Sequence, residues 1–374
     1  MDKRVILAVA GAGKTHYLCH NLNPNKKNLI LAFTHSNIFN IKRELINAYK
    51  GIPELTTIMT FDSFVYRYMI CPYEPTILRY FHKSDFKTHN VTLKSPLVQG
   101  KKSSGKYIPN PLYKSKNQFE HYVNKNGQYY CATMSELLLY VKEGKNSILK
   151  RITENINKFY EQIMIDEFQD FRKYDFEIIQ YLIKYIDNII LVGDYYQHSV
   201  SAVNNSGKPF DKTCKTYSAF KSLLSNLNVS VDDATLIKSR RCSKNICNYV
   251  KDKLKIDIYA YDDRLKGQVI IVEDNVDEIL SNNQIVKLIY EKSKIYTFNA
   301  INWSYSKGDT LDDVCLILTK TLDSLVNDDF DLNKISEIMR NKLYVAMTRT
   351  RGNLYILQSK IFNQVSENYK KSII

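Results

Sequence analysis

The segment Val5–Thr15 limits the fold of this chain more than any other part of its sequence. The apolar run Val5–Val9 predicts a strand, and the small residues after it lead into Gly13-Lys14-Thr15. Small residues let backbone N–H groups wrap a phosphate, a lysine reaches the outer phosphates, and a hydroxyl ligates Mg²⁺. The predicted loop comprises Ala8, Val9, Ala10, Gly11, Ala12, Gly13, Lys14 and Thr15, with Ala8 where the usual pattern has glycine. We therefore expect a nucleotide-binding loop between a strand and a helix.

Short apolar runs alternate with helical periodicity along much of the chain, which is typical of parallel sheets with crossover helices. The predicted strands are Val5–Val9, Leu29–Phe33, Gln162–Ile165, Ile189–Val192, Gln268–Val272, Val314–Leu318 and Leu354–Leu357, and the predicted helices include Lys14–Asn21, Ile38–Ala48 and Met134–Val141. A length of 374 residues is enough for two or three domains. The sequence therefore predicts an α/β protein with more than one domain.

Residues 71–150 differ in character from their surroundings. They contain 13 Lys or Arg against 5 Asp or Glu, with eleven Tyr or Phe mixed through them. Their first half is loop-like and rich in Lys, Ser, Pro, Asn and Gly. We predict that 1–70 and 151–225 form one α/β domain, that 71–150 is a basic, aromatic-rich subdomain inserted into it, and that 226–374 forms a second α/β domain.

The net charge of the whole chain is +14, which predicts attraction to a polyanion such as nucleic acid or an acidic membrane surface. A lysine-rich composition without functional meaning is the alternative. No stretch approaches the roughly 18 apolar residues that a membrane span needs, so we expect no membrane partner. The seven cysteines (Cys19, Cys71, Cys131, Cys214, Cys242, Cys247 and Cys315) show no C-x-x-C pair. Free thiols in a reducing, cytoplasmic compartment are therefore expected.

A pair of acidic residues, Asp166 and Glu167, follows the predicted strand Gln162–Ile165. Strands of a parallel sheet present ligand-binding residues at their carboxyl ends. Asp166 is a candidate for holding Mg²⁺ together with Thr15, and Glu167 for orienting and deprotonating an attacking water. An isolated Asp-Glu pair is more often a solvated surface feature, but the phosphate loop favours the interpretation as a nucleoside triphosphatase.

The string Asp166-Glu167-Phe168-Gln169-Asp170 resembles the second motif of the UvrD/Rep-like superfamily 1 DNA helicases. Other segments resemble further motifs of that family in the same order along the chain: Leu31–Asn37, Thr60–Phe64, Leu191–Gln197, Leu236–Ser243, Ser306–Thr310 and Tyr344–Arg351. The resemblance spans residues 5–357. It implies two RecA-like P-loop NTPase domains with parallel sheets, and ATP bound with Mg²⁺ in the cleft between the domains.

The resemblance also implies roles for individual residues. Gln197 would sense the terminal phosphate, Arg240 and Arg241 would bind ATP, and Arg349 would act as an arginine finger. Candidates for nucleic-acid binding are Phe33, Thr34, Thr60, Trp303 and Lys307. For Trp303, packing in the core is an alternative that the sequence leaves open. Arginine usage supports this independently: the chain has 41 Lys and 12 Arg, yet Arg240, Arg241, Arg349 and Arg351 fall in these motifs. A planar guanidinium binds phosphate as a fork, which lysine does not reproduce.

The sequence departs from the family at several positions. The glutamine motif that reads adenine in relatives is not found before the phosphate loop, and Arg240 replaces a base-stacking tyrosine. Asp62 and Ser304 replace histidines, and Val200 and Ala202 stand where relatives have strand-stacking aromatics. Arg241 and Lys307 lie 66 positions apart, so this is a compact form without the large insertion of full-length relatives.

Three functions are compatible with these observations. The first is an ATP-dependent helicase or translocase on single-stranded nucleic acid, with DNA and 3′ to 5′ movement implied by the resemblance. The second is a nucleotide-gated subunit that grips a strand or a partner protein, such as a nuclease or a replication factor, with little unwinding. The third is a small-molecule P-loop kinase, which the Asp166–Asp170 string and Thr348-Arg349 disfavour.

Overall fold

A computed structural model describes residues 1–84, 87–103, 106–198 and 216–371. Val200, Ala202 and Cys214 therefore lie outside the described residues. The chain forms two compact units. The first comprises the described residues of 1–6, 15–193 and 203–232, and the second those of 7–14, 194–202 and 233–374.

The first unit is built on a parallel sheet with crossover helices. Strands up to residue 232 are β1 (Asp2–Leu7), β2 (Asn28–Ala32), β3 (Thr56–Thr60), β4 (Val91–Thr92), β5 (Gly100–Ser103), β6 (Lys106–Pro109), β7 (Tyr129–Tyr130), β8 (Lys142–Glu143), β9 (Asn146–Ser147), β10 (Gln162–Asp166), β11 (Asn188–Gly193) and β12 (Ser230–Asp232). Helices in this part are α1 (Lys14–His20), α2 (His35–Tyr49), α3 (Phe61–Phe64), α4 (Glu74–Tyr80), α5 (Met134–Tyr140), α6 (Ile148–Phe159), α7 (Lys173–Tyr185) and α8 (Tyr217–Ser225).

The main sheet of this unit has the strand order β12-β1-β11-β10-β2-β3. β1 pairs with β12, β2 with β3 and β10, and β10 with β11, all in parallel. Every residue of β2 is buried, as expected for a strand covered on both faces. Residues 71–150 lie in this unit and contribute only short elements, among them the two-stranded pairs β4–β7, β5–β6 and β8–β9.

The second unit contains a second parallel sheet. Its strands are β13 (Lys238–Ser239), β14 (Tyr259–Ala260), β15 (Val269–Val272), β16 (Ile285–Ile289), β17 (Ala300–Asn302), β18 (Asp313–Ile317) and β19 (Leu354–Leu357), and its helices are α9 (Lys244–Leu254), α10 (Val276–Ser281), α11 (Glu337–Met347) and α12 (Ser359–Val365). The order β15-β19-β18-β16-β17 is parallel throughout. A core that includes Ile285, Phe298 and Leu357 lies against this sheet.

The α/β fold with parallel sheets, predicted from the sequence, is confirmed. Two details of the prediction are wrong. The first strand ends at Leu7 rather than Val9, because the N–H of Val9 donates to the carbonyl of Leu236 (2.9 Å) outside the sheet. Ser230–Asp232, assigned from the sequence to the second domain, instead pairs with β1 as an edge strand.

None of the described helices has the length and apolar composition to cross a membrane. The six cysteines in the described part of the chain are free thiols.

A largely buried ion cluster joins α3 to the start of α7 in the first unit. Arg172, only 6% exposed, forms ion pairs with Asp62 and with Asp175, the latter at 2.6 Å from Nε to Oδ2. The hydroxyl of Ser135 donates to the other oxygen of Asp175 (2.6 Å). Burial raises the pKa of Asp62 to about 6, although Arg172 opposes that shift. Arg172 therefore supplies the counter-charge for both Asp62 and Asp175.

Replacing Arg172 with leucine should lower the free energy of unfolding by about 3–5 kcal/mol, because two carboxylates would lose their buried counter-charge. Equilibrium urea denaturation measures this change. Arg151 forms an exposed ion pair with Glu143 (3.2 Å), so Arg151→Leu is the matched control and should cost less than about 1 kcal/mol. Equal losses in the two variants would contradict the assignment of the buried cluster.

Candidate functional site

The phosphate loop has two positions that require glycine. Gly11 and Gly13 have φ angles of +72° and +86°, which lie in the left-handed region. A Cβ on Gly11 would also lie 2.7 Å from the hydroxyl of Ser239 and 2.8 Å from the Cβ of Arg241. The backbone N–H of Arg240 donates to the carbonyl of Gly11 (2.9 Å). Within the second unit, the loop therefore lies directly against the Ser239–Arg241 segment.

Thr15 and Asp166 meet at the carboxyl edge of the main sheet in the first unit. The hydroxyl of Thr15, in the first turn of α1, donates to Oδ2 of Asp166, the last residue of β10 (3.1 Å). Asp166 is only 1% exposed. Hydroxyl and carboxylate oxygens are the hard ligands that Mg²⁺ prefers, so this donor set fits a magnesium ion.

Glu167 is held in an unusual backbone conformation beside Asp166. Its φ angle is +51°, which is uncommon for a residue other than glycine, and its N–H donates to Oδ1 of Asp166 (3.0 Å). The side-chain amide of Gln169 donates to its carboxylate (2.5 Å). Strained residues of this kind concentrate at functional sites. The conformation therefore supports a functional interpretation of the acidic pair.

A chain of hydrogen bonds in the second unit joins the phosphate loop to Gln197. The N–H of Ala10 donates to the hydroxyl of Tyr344 (2.7 Å), and that hydroxyl donates to Oδ2 of Asp194 (3.2 Å). The side-chain amide of Gln197 donates to the same oxygen (2.7 Å). Burial and the charge of Asp194 raise the pKa of Tyr344 well above its ordinary value, so its hydroxyl stays protonated.

Sequence reasoning assigned no role to Tyr344 or Asp194. Each nevertheless belongs to a segment that the sequence singled out: Tyr344 begins the Tyr344–Arg351 motif, and Asp194 lies within Leu191–Gln197. Their positions inside these motifs were the only indication that the sequence offered. The contacts of Tyr344 with Ala10 and Asp194 could not be predicted, because these residues are far apart in the sequence.

Arg349 is almost completely buried, at 1% exposed, and Arg241 is half-buried beside it. Arg349 donates to the carbonyl of Val345 (2.8 Å), and Arg241 donates to the hydroxyl of Thr310 (2.9 Å) and the carbonyl of Thr348 (3.0 Å). Burial, then the positive charge of Arg241, lowers the pKa of Arg349 to about 10. Burial likewise lowers the pKa of Arg241. Within the described part of the chain, neither guanidinium forms a salt bridge to a carboxylate.

Arg240 and Lys307 are more exposed than Arg349. The guanidinium of Arg240 stacks over the ring of Tyr261, 3.9 Å from its centroid. The ammonium of Lys307 donates to the backbone carbonyl of Gln197 (3.1 Å). Both basic residues belong to the second unit, which also contains residues 7–14 of the phosphate-loop segment.

Phe33, Thr34 and Thr60 are brought together at the carboxyl ends of two neighbouring strands. Ala32, the last residue of β2, pairs with Thr60, the last residue of β3. The hydroxyls of Thr34 and Thr60 cap α2 and α3 by accepting the N–H groups of Asn37 and Ser63. Phe33 is half-buried against Phe171, with ring centroids 5.6 Å apart.

Of the two interpretations of Trp303, contact with a strand or packing in the core, the structure supports core packing. Its side chain is fully buried, and the indole N–H donates to the carbonyl of Leu288 (3.0 Å). The ring packs edge-on against Tyr290 at 5.5 Å. Trp303 is thus a core residue of the second unit. Two positions later, the side chain of Tyr305 is 70% exposed and offers an aromatic face that sequence reasoning missed.

One family model matches part of the chain. Residues 80–199 match the family described as the UvrD/REP helicase N-terminal domain. That range contains the acidic pair and Gln197. No curated protein matches the chain in sequence.

Similar solved structures include the PRRSV helicase, with 16% identity and a TM-score of 0.45 over 96% of this chain and 53% of that one. Arterivirus nonstructural protein 10, also a helicase, has 15% identity and a TM-score of 0.46, both alone and in a structure with DNA. These matches cover 99% and 98% of this chain respectively, and 62% of the arterivirus chain in each case. The chain thus spans 53–62% of the length of these helicases.

Two parallel sheets with crossover helices, a phosphate loop after the first strand and an acidic pair after β10 are the features of two RecA-like domains. Residues 80–199 of this fold are similar to the N-terminal domain of UvrD/REP helicases.

Proposed function

We propose that this chain is an ATP-driven translocase that moves 3′ to 5′ on single-stranded DNA and separates duplexes as it does so. The observation that carries the proposal is the pair of arginines beside the phosphate loop. A buried guanidinium without a carboxylate partner is costly unless an anion completes its surroundings. Arg349 and Arg241 therefore favour binding of a polyphosphate, and their unit also contains Lys14.

The residues divide the chemistry of hydrolysis among them. Lys14 and the loop N–H groups bind the outer phosphates, and Arg349 stabilises the charge that develops on the transferred phosphoryl group. Glu167 orients the attacking water and accepts its proton. Thr15 and Asp166 would hold Mg²⁺, which when bound neutralises phosphate charge.

Tyr344 supplies a means of sensing the nucleotide. Its hydroxyl accepts the N–H of Ala10, a loop group that a phosphate oxygen would also accept. A bound phosphate therefore competes with Tyr344 for this donor. Because the same hydroxyl donates to Asp194, which also accepts from Gln197, phosphate binding would change the partners of Gln197. This route connects nucleotide state to the start of the Tyr344–Arg351 motif.

Each unit contains candidate residues for strand binding. Phe33, Thr34 and Thr60 form a cluster at the carboxyl edge of the first sheet, and Lys307 lies close in sequence to the exposed ring of Tyr305. Positive charge combined with aromatic faces is the usual arrangement for sequence-independent binding of single strands. The basic residues of 71–150 add to the attraction for a phosphate backbone.

The free cysteines support a reducing, cytoplasmic location.

Steady-state ATP hydrolysis should rise at least tenfold when a single-stranded DNA oligonucleotide is added, because strand binding and hydrolysis are coupled in a translocase. Lys14→Ala and Arg349→Lys should abolish the stimulated rate, the second because lysine lacks the guanidinium fork. A loss of about a thousandfold is expected for the arginine finger. The exposed Arg264→Lys is the control and should retain the stimulation.

Three outcomes separate the candidate functions. Stimulated hydrolysis with displacement of a labelled strand from a partial duplex supports the helicase. Stimulated hydrolysis or nucleotide-dependent strand binding without displacement supports the nucleotide-gated subunit that acts with a partner protein. Hydrolysis that no nucleic acid changes would overturn the proposal.

Glu167→Gln should bind ATP within a few-fold of the unaltered protein, since glutamine keeps the shape of the side chain. Its single-turnover hydrolysis should fall by about a hundredfold or more, because the amide does not accept the proton from water. Fluorescent-nucleotide titration measures binding, and phosphate release measures turnover. The exposed Glu154→Gln is the control. Unchanged turnover in Glu167→Gln would end the proposed role of this carboxylate.

Tyr305→Ala should weaken binding of single-stranded DNA by about 1–3 kcal/mol, the usual contribution of one base stacked on an aromatic ring. Fluorescence anisotropy with a labelled oligonucleotide measures the loss. Tyr259, 42% exposed in the same unit, provides the matched Tyr→Ala control. A loss of the same size in both variants would mean that Tyr305 is not a stacking site.

A further inference from the structure

His16 and His20 lie one turn apart on α1 and face Glu44 of α2. Both histidines are exposed and Glu44 is half-buried, so the cluster opens to solvent. The two imidazole rings stack with centroids 3.8 Å apart and an angle of 15° between their planes. None of the three residues belongs to the nucleotide site or to the segments proposed to bind a strand.

Both histidines present the same nitrogen to the same carboxylate oxygen. Nε2 of His20 lies 3.3 Å from Oε1 of Glu44, and Nε2 of His16 lies 4.0 Å from it. One ligand atom from each of the three residues falls within 4.8 Å of the others. With zinc bonds near 2.0–2.1 Å, ligand atoms of a tetrahedral site are separated by about 3.3 Å. The His20–Glu44 pair already has this separation, and the His16–Glu44 pair must close by less than about 1 Å. Because the two rings are stacked nearly parallel, both must also rotate about their side-chain bonds for the Nε2 lone pairs to converge on one ion.

The donor types select the class of metal. Two imidazoles and one carboxylate suit Zn²⁺ and its neighbours among the first-row transition metals, whereas Mg²⁺ prefers oxygen ligands in octahedral geometry. Histidines four residues apart on one helix face form a common pair of zinc ligands. Cys19, on the same helix, is not a competing ligand: its thiol is buried near the carbonyl of Ile41, and burial raises its pKa to about 12.

We propose that His16, His20 and Glu44 bind one Zn²⁺ ion, with a water molecule as the fourth ligand. The ion would join α1 to α2, which already contact each other through the hydroxyl of Tyr49 and the carbonyl of Cys19 (3.1 Å). α1 begins at Lys14 of the phosphate loop, and α2 is capped by Thr34 of the strand-contacting cluster. The zinc ion therefore cross-links the helix that follows the nucleotide site to the helix that follows the strand site.

The test is calorimetric titration of the tag-free full chain with ZnCl₂ in a buffer that does not chelate metals. We expect one site per chain, with binding at least tenfold weaker in each of His16→Ala, His20→Ala and Glu44→Gln. His89→Ala, an exposed histidine outside the cluster, and Cys71→Ser, an exposed thiol, are the matched controls and should bind as the unaltered chain does. Excess MgCl₂ should leave the titration unchanged. Zn²⁺ should also raise the Tm of the unaltered chain and of the controls.

Two results would overturn the proposal. One is equal Zn²⁺ binding by the unaltered chain and the His16→Ala/His20→Ala double variant, which would place the ion elsewhere. The other is the absence of any saturable binding to a folded unaltered chain, which would leave His20 and Glu44 as an exposed ion pair of little energetic weight. Circular dichroism of each variant establishes that it is folded, so loss of binding is not confused with loss of structure.

Discussion

The guanidinium of Arg349 is buried without a carboxylate partner among the described residues, and the proposed nucleotide site is arranged around this charge. Its main acceptor is the carbonyl of Val345, in the last turn of α11, where the helix dipole concentrates negative partial charge. This explains how the charge is tolerated, although its pKa falls to about 10. Arg241 adds a second positive charge that uses the carbonyl of Thr348, directly after the same helix. The end of α11 therefore holds two positive charges that a bound polyphosphate would neutralise.

The start of the same motif connects with the loop on which that polyphosphate would bind. Tyr344 holds the N–H of Ala10 and reaches Asp194, so one helix supplies both the loop contact and the residues that support the arginines. A phosphate oxygen that replaces the Tyr344 hydroxyl at Ala10 would alter hydrogen bonding at both ends of this short segment. In the proposed mechanism, nucleotide binding would therefore affect the orientation of Gln197 through this chain of hydrogen bonds.

The sequence was most informative where local chemistry alone determines structure. The phosphate loop and the strands β10 and β19 follow from apolar runs beside small or acidic residues, and Leu354–Leu357 was predicted with its observed bounds. β12 was assigned to the wrong domain because its three residues carry little apolar signal and its partner β1 is more than 200 residues away. The sequence left the role of Trp303 open for a related reason. An aromatic residue beside a motif is compatible with stacking or with core packing, and only the position of Leu288 decides between them. The role of Asp194 was missed because its contact with Tyr344, 150 residues away, depends on the fold.

Asp62, which stands where the helicases that the sequence resembles have histidine, has consequences beyond its own position. Asp62 pairs with Arg172, which follows the acidic-pair segment by only a few residues, and the same Arg172 lies over the ring of Phe33 at 5.9 Å. Phe171, its neighbour, packs against Phe33 and also against Phe61 at 4.8 Å. The segment that begins at Glu167 therefore ends in direct contact with the residues proposed to hold the strand. Because interiors are close-packed, a displacement at one end of such a segment is transmitted to the other. In this chain, the ion pair between Asp62 and Arg172, which a histidine at position 62 would not form, holds the end of this segment next to the residues proposed to bind the strand.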